Sequence, residues 1–599
     1  MENNNKEKIE LVKSLINQAI KEKKSLDKVS VEHDLYRSFA NSFIRHLKNN
    51  KTITKKNKEE LIKLYNQYKK QSKTFGSEVT TKEEKEQISE VYYDKSISWD
   101  ERMVKLCKMF NRTERTMRKW LVNLGFKHKQ EEESEQWKEA KKKEFNTKKK
   151  RFLVSWCQNN TAINKGLLKN MEVYAKHIDA QIMIIAGRYN NQTQTLDKDT
   201  SEFWADEVLP YLTANRHELN NYITVLGDIK VQATQANPLT GLESVSKENS
   251  CIVGSPRVHM KTVAVLEGQR PKYMYSTGAI SNPNFTDSRI GKTGEFNFTQ
   301  GFVVVELQDE NVFYARQVTT EKNGSFYDLY FKVSNGKVEK INSISALIMG
   351  DLHLGLHDEK IIDKTFNTLC KKIKPKHLVL HDLFDGHSCN PHEMHDVFKQ
   401  HEREMNGTNC LKSEINFMLD WLGKIEKDYN IVVIKSNHDI FLDRFLQNDW
   451  RKLSTLKNSI PYMKYAEALL SGKAPNGAIP YIINEKYPKI KCLTFTESFK
   501  VHEWELSQHF HLGINGSRGG GVNMFKKLSS KMVGAHGHQE SRADGAVMVG
   551  TNTILRHGYN QSPSSWTQGS AIIHADGKLQ QISFMKTGKG DELNFTTFK

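Results

Sequence analysis

Between residues 344 and 540 the chain repeats one device: a short apolar run that stops in a carboxylate or an imidazole. ALIMGDLHLG (346–355) runs into Asp351 and His353, and HLVLHDLFDG (377–386) into Asp382 and Asp385. NIVVIKSNHD (430–439) ends in Asn437, His438 and Asp439, and KMVGAHGH (531–538) ends in His536 and His538. Apolar runs of this length read as buried strands. In an open α/β sheet, ligands bind outside the carboxyl ends of the strands. The pattern therefore predicts an α/β domain with oxygen and nitrogen donors converging at one edge. His509, in LSQHFHLG (506–513), adds an imidazole between the third and fourth runs, and His511 competes with it for that role.

The rest of the chain limits what surrounds this domain. At 599 residues it is too long for one core, and about three or four domains are expected. No apolar run approaches the length of a membrane span, and the first residues, MENNNKEKIELVK, lack the apolar stretch of a signal peptide. A soluble, cytoplasmic protein with no membrane partner is expected. The seven cysteines are scattered, with no CxxC pair, which argues for a reducing compartment and against a structural zinc site.

The net charge of +18 is uneven. Residues 1–150 carry 37 Lys and Arg against 24 Asp and Glu, so they hold 13 of the 18 excess positive charges. A polyanion would be met there. The same residues hold no proline and two glycines, Gly76 and Gly125, a helical composition. A basic helical region is expected over 1–80. In ERMVKLCKMFNRTERTMRKWLVNLGFKHK (101–129), Met103, Leu106, Cys107 and Phe110 recur at helical spacing. Thr113 caps a second helix, Glu114 sits in its first turn, Met117, Trp120, Leu121 and Leu124 continue the apolar face, and Gly125 closes it. Arg112, Arg115, Arg118 and Lys119 occupy the other face, as a helix that enters a DNA major groove requires. The segment 81–130 resembles the helix-turn-helix domains of phage and bacterial DNA-binding proteins, which makes DNA the expected partner.

Residues 131–172 are charge-dense and read as a helical linker. From 173 to 343, β-rich runs alternate with loops, predicting an α+β middle domain. Arg257, His259, Arg289 and Lys292 there read as surface polarity that could touch a nucleic acid backbone.

Taken in order, the motifs of residues 344–599 resemble the calcineurin-like metallophosphoesterase superfamily over about 344–590, with an α/β sandwich as the implied fold. The loops INGSRGG (514–520), VGTNT (549–553) and SPSSW (562–566) resemble those of phage-encoded members, and the layout is similar to that of SbcD-type DNA repair nucleases. By that resemblance Asp382 bridges two divalent cations. Asp351, His353 and His538 complete one site, and Asn437, His509 and His536 the other. His438 is the general acid, and Asp385 and Asp439 orient neighbours. Oxygen and imidazole donors without thiolate suit Mn2+ and tolerate Fe or Zn2+. Four positions depart from the family pattern: His381, Ser436 and Ala535 replace glycines, and Phe510 follows the lone histidine where glycine is usual. His387, His392 and His395 form a further cluster that could meet a phosphate. Asn515–Gly521 could form a backbone nest for phosphate with Arg518 as a clamp.

The expected function is a metal-dependent DNA nuclease, phage-encoded and at work in the cytoplasm of an infected host, in a form compatible with a homo-oligomer. A metal-dependent phosphatase acting on phosphoproteins or nucleotides is the alternative. A DNA-binding protein with a decayed site is the third reading, disfavoured by the full donor set.

Overall fold

The computed structural model describes residues 2–33, 35, 39–47, 53–72, 82–94, 96–97, 99–124, 126, 134–146, 148–189, 202–448, 456–558, 560–587 and 592–598. They fall into two compact units, Met1–Glu132 and Glu133–Lys599.

The first unit is helical among its described residues and holds two cores. Helices Glu2–Lys21, Leu26–Glu32, Phe39–Leu47 and Lys55–Ser72 close around Val12, Leu15, Ile16, Leu26 and Leu61. Helices Lys82–Tyr93, Trp99–Met109 and Glu114–Asn123 pack around Ile88, Met103, Leu106, Met117, Trp120 and Leu121. Every apolar residue read from the helical spacing of 101–124 contributes to that second core, with Cys107, Phe110 and Leu124 at its margin. Gly76 and Gly125 lie outside the described residues.

In the second unit the expectation of a helical linker over 131–172 needs correction. Among the described residues there, only Glu135–Lys142 and the helix from Lys165 are helical, and Arg151–Gln158 is a buried strand central to a five-stranded sheet. It pairs in parallel with Gln181–Gly187 through the crossover helix Lys165–Ile178. Ala140 and Trp137 already pack on this core, so the unit begins near residue 133 rather than at a later boundary.

The six-stranded sheet carries the first three apolar runs. Its order is Lys491–Cys492, Asn430–Val433, Lys374–Leu380, Ser343–Ile348, Gly569–Ile573, Leu579–Ser583, and the first four are parallel. The two-residue alternation of a strand gives each sheet face its own core. Ala346, Ile348, Val379 and Val432 point to one face, where Trp504, Val533 and Val547 of a second sheet meet them. Leu347, Leu378, Ile431 and Val433 point to the other, against Ile415, Met418 and Leu422 of helix Leu411–Gly423. Each fully buried Val, Leu, Ile or Met among them contributes about 1.5–3 kcal/mol.

The facing sheet has ten strands and crosses the expected domain boundary at 343. Strands Lys531–Gly534, Ala546–Met548 and Ser541–Ala543 continue through Ser541–Ala543 into His259–Val263, Lys272–Ser276, Ser250–Val253, Ile223–Leu226 and Arg216–Asn220. The middle region is thus continuous in hydrogen bonding with the region that holds the histidine motifs. Among the described residues no helix is long and apolar enough to cross a membrane.

Candidate metal centre

The glycine of the first motif answers why a buried strand can run straight into a carboxylate. A Cβ at Gly350 would lie 2.6 Å from the carbonyl oxygens of both Gly550 and Gly569. Only glycine lets the chain pass that close, and Asp351 then accepts the Asn552 N–H on its carbonyl and the His536 N–H on its carboxylate.

From the strand tips, two sets of donor atoms converge. Asp351, His353, Asp382 and His538, all buried, form one; Asp382, His509 and His536 form the other; within each set the donor atoms lie within 4.8 Å of one another. Asp382 belongs to both. His509 Nε2 lies 3.0 Å and His353 Nε2 3.4 Å from Asp382 Oδ2, and His538 Nε2 lies 3.2 Å from Asp351 Oδ2. The Nε2 atoms of His353 and His538 face each other at 3.1 Å. Asn437 Oδ1, Asp382 Oδ1 and Asp351 Oδ1 are buried without a hydrogen-bond partner. Buried polar atoms are ordinarily paired, so lone pairs left this way fit a cation among them. Oxygen and imidazole donors of this kind can hold a metal ion.

The backbone is strained where these donors are presented. His353, Asp382, His536 and His538 have φ of 40°, 41°, 74° and 51°. Holding a non-glycine residue there costs about 1–3 kcal/mol, and such residues cluster at functional sites. Phe510, with φ of 70°, occupies the left-handed position at which glycine was expected, and its ring stacks on Phe525 at 4.1 Å.

The electrostatics demand positive charge. Burial disfavours a charged His353, yet Asp382, Asp385 and Asp351 push it up to about 9. Burial also pushes Asp351 up to about 7, with Asp382 adding to the effect against His509 and His353. His536, lowered to about 4 by burial and by His509, remains neutral and able to donate a lone pair.

Outer contacts hold the donors in place. His353 Nδ1–H donates to Asp385 at 3.1 Å, and Asp385 also takes His387 Nδ1 at 3.2 Å. His438 Nδ1–H donates to the Asp385 carbonyl at 2.5 Å, and its ring packs against His353. Asp439 does not reach a donor: its carboxylate accepts the Ser436 N–H at 2.9 Å and its own N–H donates to the Ser436 hydroxyl, bracing the turn that carries Asn437. His381, at the second motif's glycine position, is fully buried and sets its Nδ1 3.3 Å from His509 Nδ1. Burial, reinforced by His509, lowers His381 to about 3, so it stays neutral and can accept the His509 Nδ1–H.

His509 rather than His511 joins the donor set; His511 lies beside it with ring centroids 5.5 Å apart. His392 and His395 are exposed and outside both sets, as is Arg518, on a turn where Gly519 N–H donates to His511 and Gly513 N–H to Ser517. Arg257 and His259 are not surface groups: both are buried and share Asp544, at 3.1 Å each. Lys292 pairs with Asp287 and Glu295, and Arg289 is exposed. On the helical segment Arg115 and Lys119 are exposed, Arg118 pairs with Glu114, and the Arg112 guanidinium lies 4.2 Å from the Trp120 ring centre.

Three contributors escape a motif reading. Glu414 accepts the N–H groups of Gly386, His387 and Ser388 and so anchors the loop after Asp385. An acidic residue on the stripe of Leu411, Ile415 and Met418 was the available signal. His557 and Trp566 flank His538, the indole centred 4.1 Å from its ring. Trp566 closes the SPSSW loop, and nothing in the local sequence marks His557.

No family model matches the chain, and no solved structure matches it. It is similar to Protein A1 of Escherichia phage T5. The two are 28% identical over 464 residues, covering 74% of this chain and 82% of that protein.

Proposed function

We propose that the protein is a metal-dependent phosphodiesterase that cleaves DNA, a phage-type member of the calcineurin-like metallophosphoesterases acting in the cytoplasm of an infected host. The observation that carries the reading is the pair of donor sets, buried except for the half-buried His536, that share one carboxylate, Asp382. A phosphodiester resists attack because its oxygens are negative and its leaving alkoxide is poor. Two divalent cations, Mn2+ by the donor chemistry, would supply an activated hydroxide and offset that negative charge. Asp351, His353, Asp382 and His538 would hold one, and Asp382, Asn437, His509 and His536 the other.

The chain's own groups do the rest. His438, its Nδ1–H fixed on the Asp385 carbonyl, would deliver a proton from Nε2 to the leaving oxygen. Asp385 fixes the tautomer of His353 by taking its Nδ1–H. Arg518, exposed on its turn, meets a flanking phosphate. Arg115 and Lys119, with Arg112 and Arg118 behind them, grip the DNA backbone from the helical unit. Similarity to a phage protein and the basic first quarter of the chain support DNA as substrate.

The test is turnover of purified protein with Mn2+ on supercoiled plasmid, linear duplex, single strands and a phosphomonoester. Cleavage of DNA is expected. Turnover of the monoester alone would make the protein a phosphatase and overturn the reading.

A further inference from the structure

Beside the donor sets lies a cavity of 440 Å³ built jointly by the middle region and the histidine-motif region. Cavities of about 300–1,000 Å³ are the size that holds small ligands. One wall is Gly537, the residue between His536 and His538, so one residue of backbone separates the cavity lining from two of the donors. Another wall is the turn Gly519–Gly521. The floor is the junction where strand Ser541–Ala543 pairs with His259–Val263: Ser541 is opposite Lys261 on one side and Met548 on the other, which puts all three side chains on the same sheet face.

The lining is of two kinds. Asn523 offers a neutral amide, Asn237 and Gln539 offer amides whose oxygens already accept the Leu239 N–H and the Ser565 hydroxyl, and Ser541 offers a hydroxyl whose oxygen is buried without a partner. Met524 and Met548 offer flat, polarizable apolar contact. Two cations line the cavity: Lys261, already paired with Glu243, and Arg542, which is registered with Met260 and Val547 and so lies on the opposite sheet face from Ser541. Neutral amides are the groups that read base edges, and thioether and aliphatic surface suits the face of a heterocycle. A bare phosphate would call for an unpaired cation instead.

We propose that this cavity is a nucleoside subsite: it takes one unstacked base of the substrate strand next to the bond cleaved at the metal centre. The proposal rests on the reading of the protein as a DNA phosphodiesterase and adds what the middle region contributes to it. A base enters such a cavity only after leaving its stack, which costs least in single strands and at ends. The protein therefore prefers single-stranded or frayed DNA over internal duplex.

The experiment walks one abasic residue through a single-stranded oligonucleotide and measures kcat/KM at each position with the full-length, Mn2+-loaded protein. One position next to the cleaved bond should lower kcat/KM about tenfold, the worth of an ordinary set of base-edge contacts. The double variant Asn523→Ala/Ser541→Ala removes an exposed amide and a hydroxyl that serves no protein group, so the fold is spared. In it, that position should lose its discrimination between base and abasic residue. Uniform tolerance of the abasic residue, or discrimination undiminished in the variant, overturns the subsite. If no DNA is cleaved, the phosphodiesterase reading fails separately, and the subsite is read by calorimetric titration with a deoxynucleoside 5′-monophosphate against deoxyribose 5-phosphate. At least tenfold tighter binding of the nucleotide, lost in the double variant, supports it; equal binding overturns it.

Discussion

Replacing His381 tests whether the site depends on contacts behind the donors. Glycine at this position would leave His509 Nδ1 without the acceptor that lies 3.3 Å away, in a place where His381 itself is fully buried. A metal-bound imidazole that loses the partner of its outer nitrogen typically loses about 10–100-fold in metal affinity. That corresponds to about 1.4–2.8 kcal/mol at the site. His381→Gly should therefore weaken the site of Asp382, Asn437, His509 and His536 by this amount, and leave the site of Asp351, His353 and His538 close to its original affinity. His381→Asn, whose amide oxygen can stand near the Nδ1 position, should recover most of the loss. Calorimetric titration of the metal-free protein with Mn2+ resolves the two sites. Equal weakening of both sites, or glycine and asparagine variants that behave alike, would refute an orienting role and leave His381 as packing.

Further outcomes follow from the same geometry. Asp382→Ala should abolish turnover and reduce bound metal, measured by elemental analysis, because both donor sets lose the carboxylate they share. His438→Asn should keep both metals and lose about 10²–10⁴ in rate on poor leaving groups, with a smaller loss on a nitrophenyl diester; equal losses on both would reject the acid role. Asp351, raised to about 7, holds a proton below that pH in the metal-free protein and must release it to bind a cation. His353, raised to about 9, must likewise lose a proton, so Mn2+ affinity should rise steeply up to pH 7, by about tenfold per pH unit from there to pH 9, and level off above it, as read by titration in a pH series. A chain starting at Glu133, the edge of the second compact unit, should keep small-diester turnover and bind DNA weakly. Its log affinity against log salt should flatten by about 0.9 for each duplex phosphate that the first unit no longer neutralises, and an unchanged slope would reject the DNA role of that unit.

How much of this was legible depends on whether the governing contact is local. The strand tips could be read because ALIM, LVL and IVVI are apolar runs whose ends change character within two residues, and the helices of 101–124 because a period of 3.6 spaces Met103, Leu106, Met117 and Trp120. Strand Arg151–Gln158 went unread because it begins directly after the lysines at 148–150 and shares their stretch, although FLVSWC is itself a buried run. The ladder between Ser541–Ala543 and His259–Val263 joins residues about 280 apart, and no local pattern announces such a partner. Arg257 and His259 read as surface groups for the same reason: their carboxylate, Asp544, comes from that distant hairpin. Burial can reverse a residue's meaning, as it does for His381, which looks like a departure from a glycine motif and stands behind a metal donor.

The claim on which the rest depends is a pair of cations sharing Asp382, and electron paramagnetic resonance of the protein loaded with two equivalents of Mn2+ tests it most directly. Two ions bridged by one carboxylate should give an exchange-coupled spectrum that collapses to that of isolated Mn2+ in Asp382→Asn. A spectrum of uncoupled ions in the unaltered protein, or coupling that survives loss of the Asp382 carboxylate, would contradict the account.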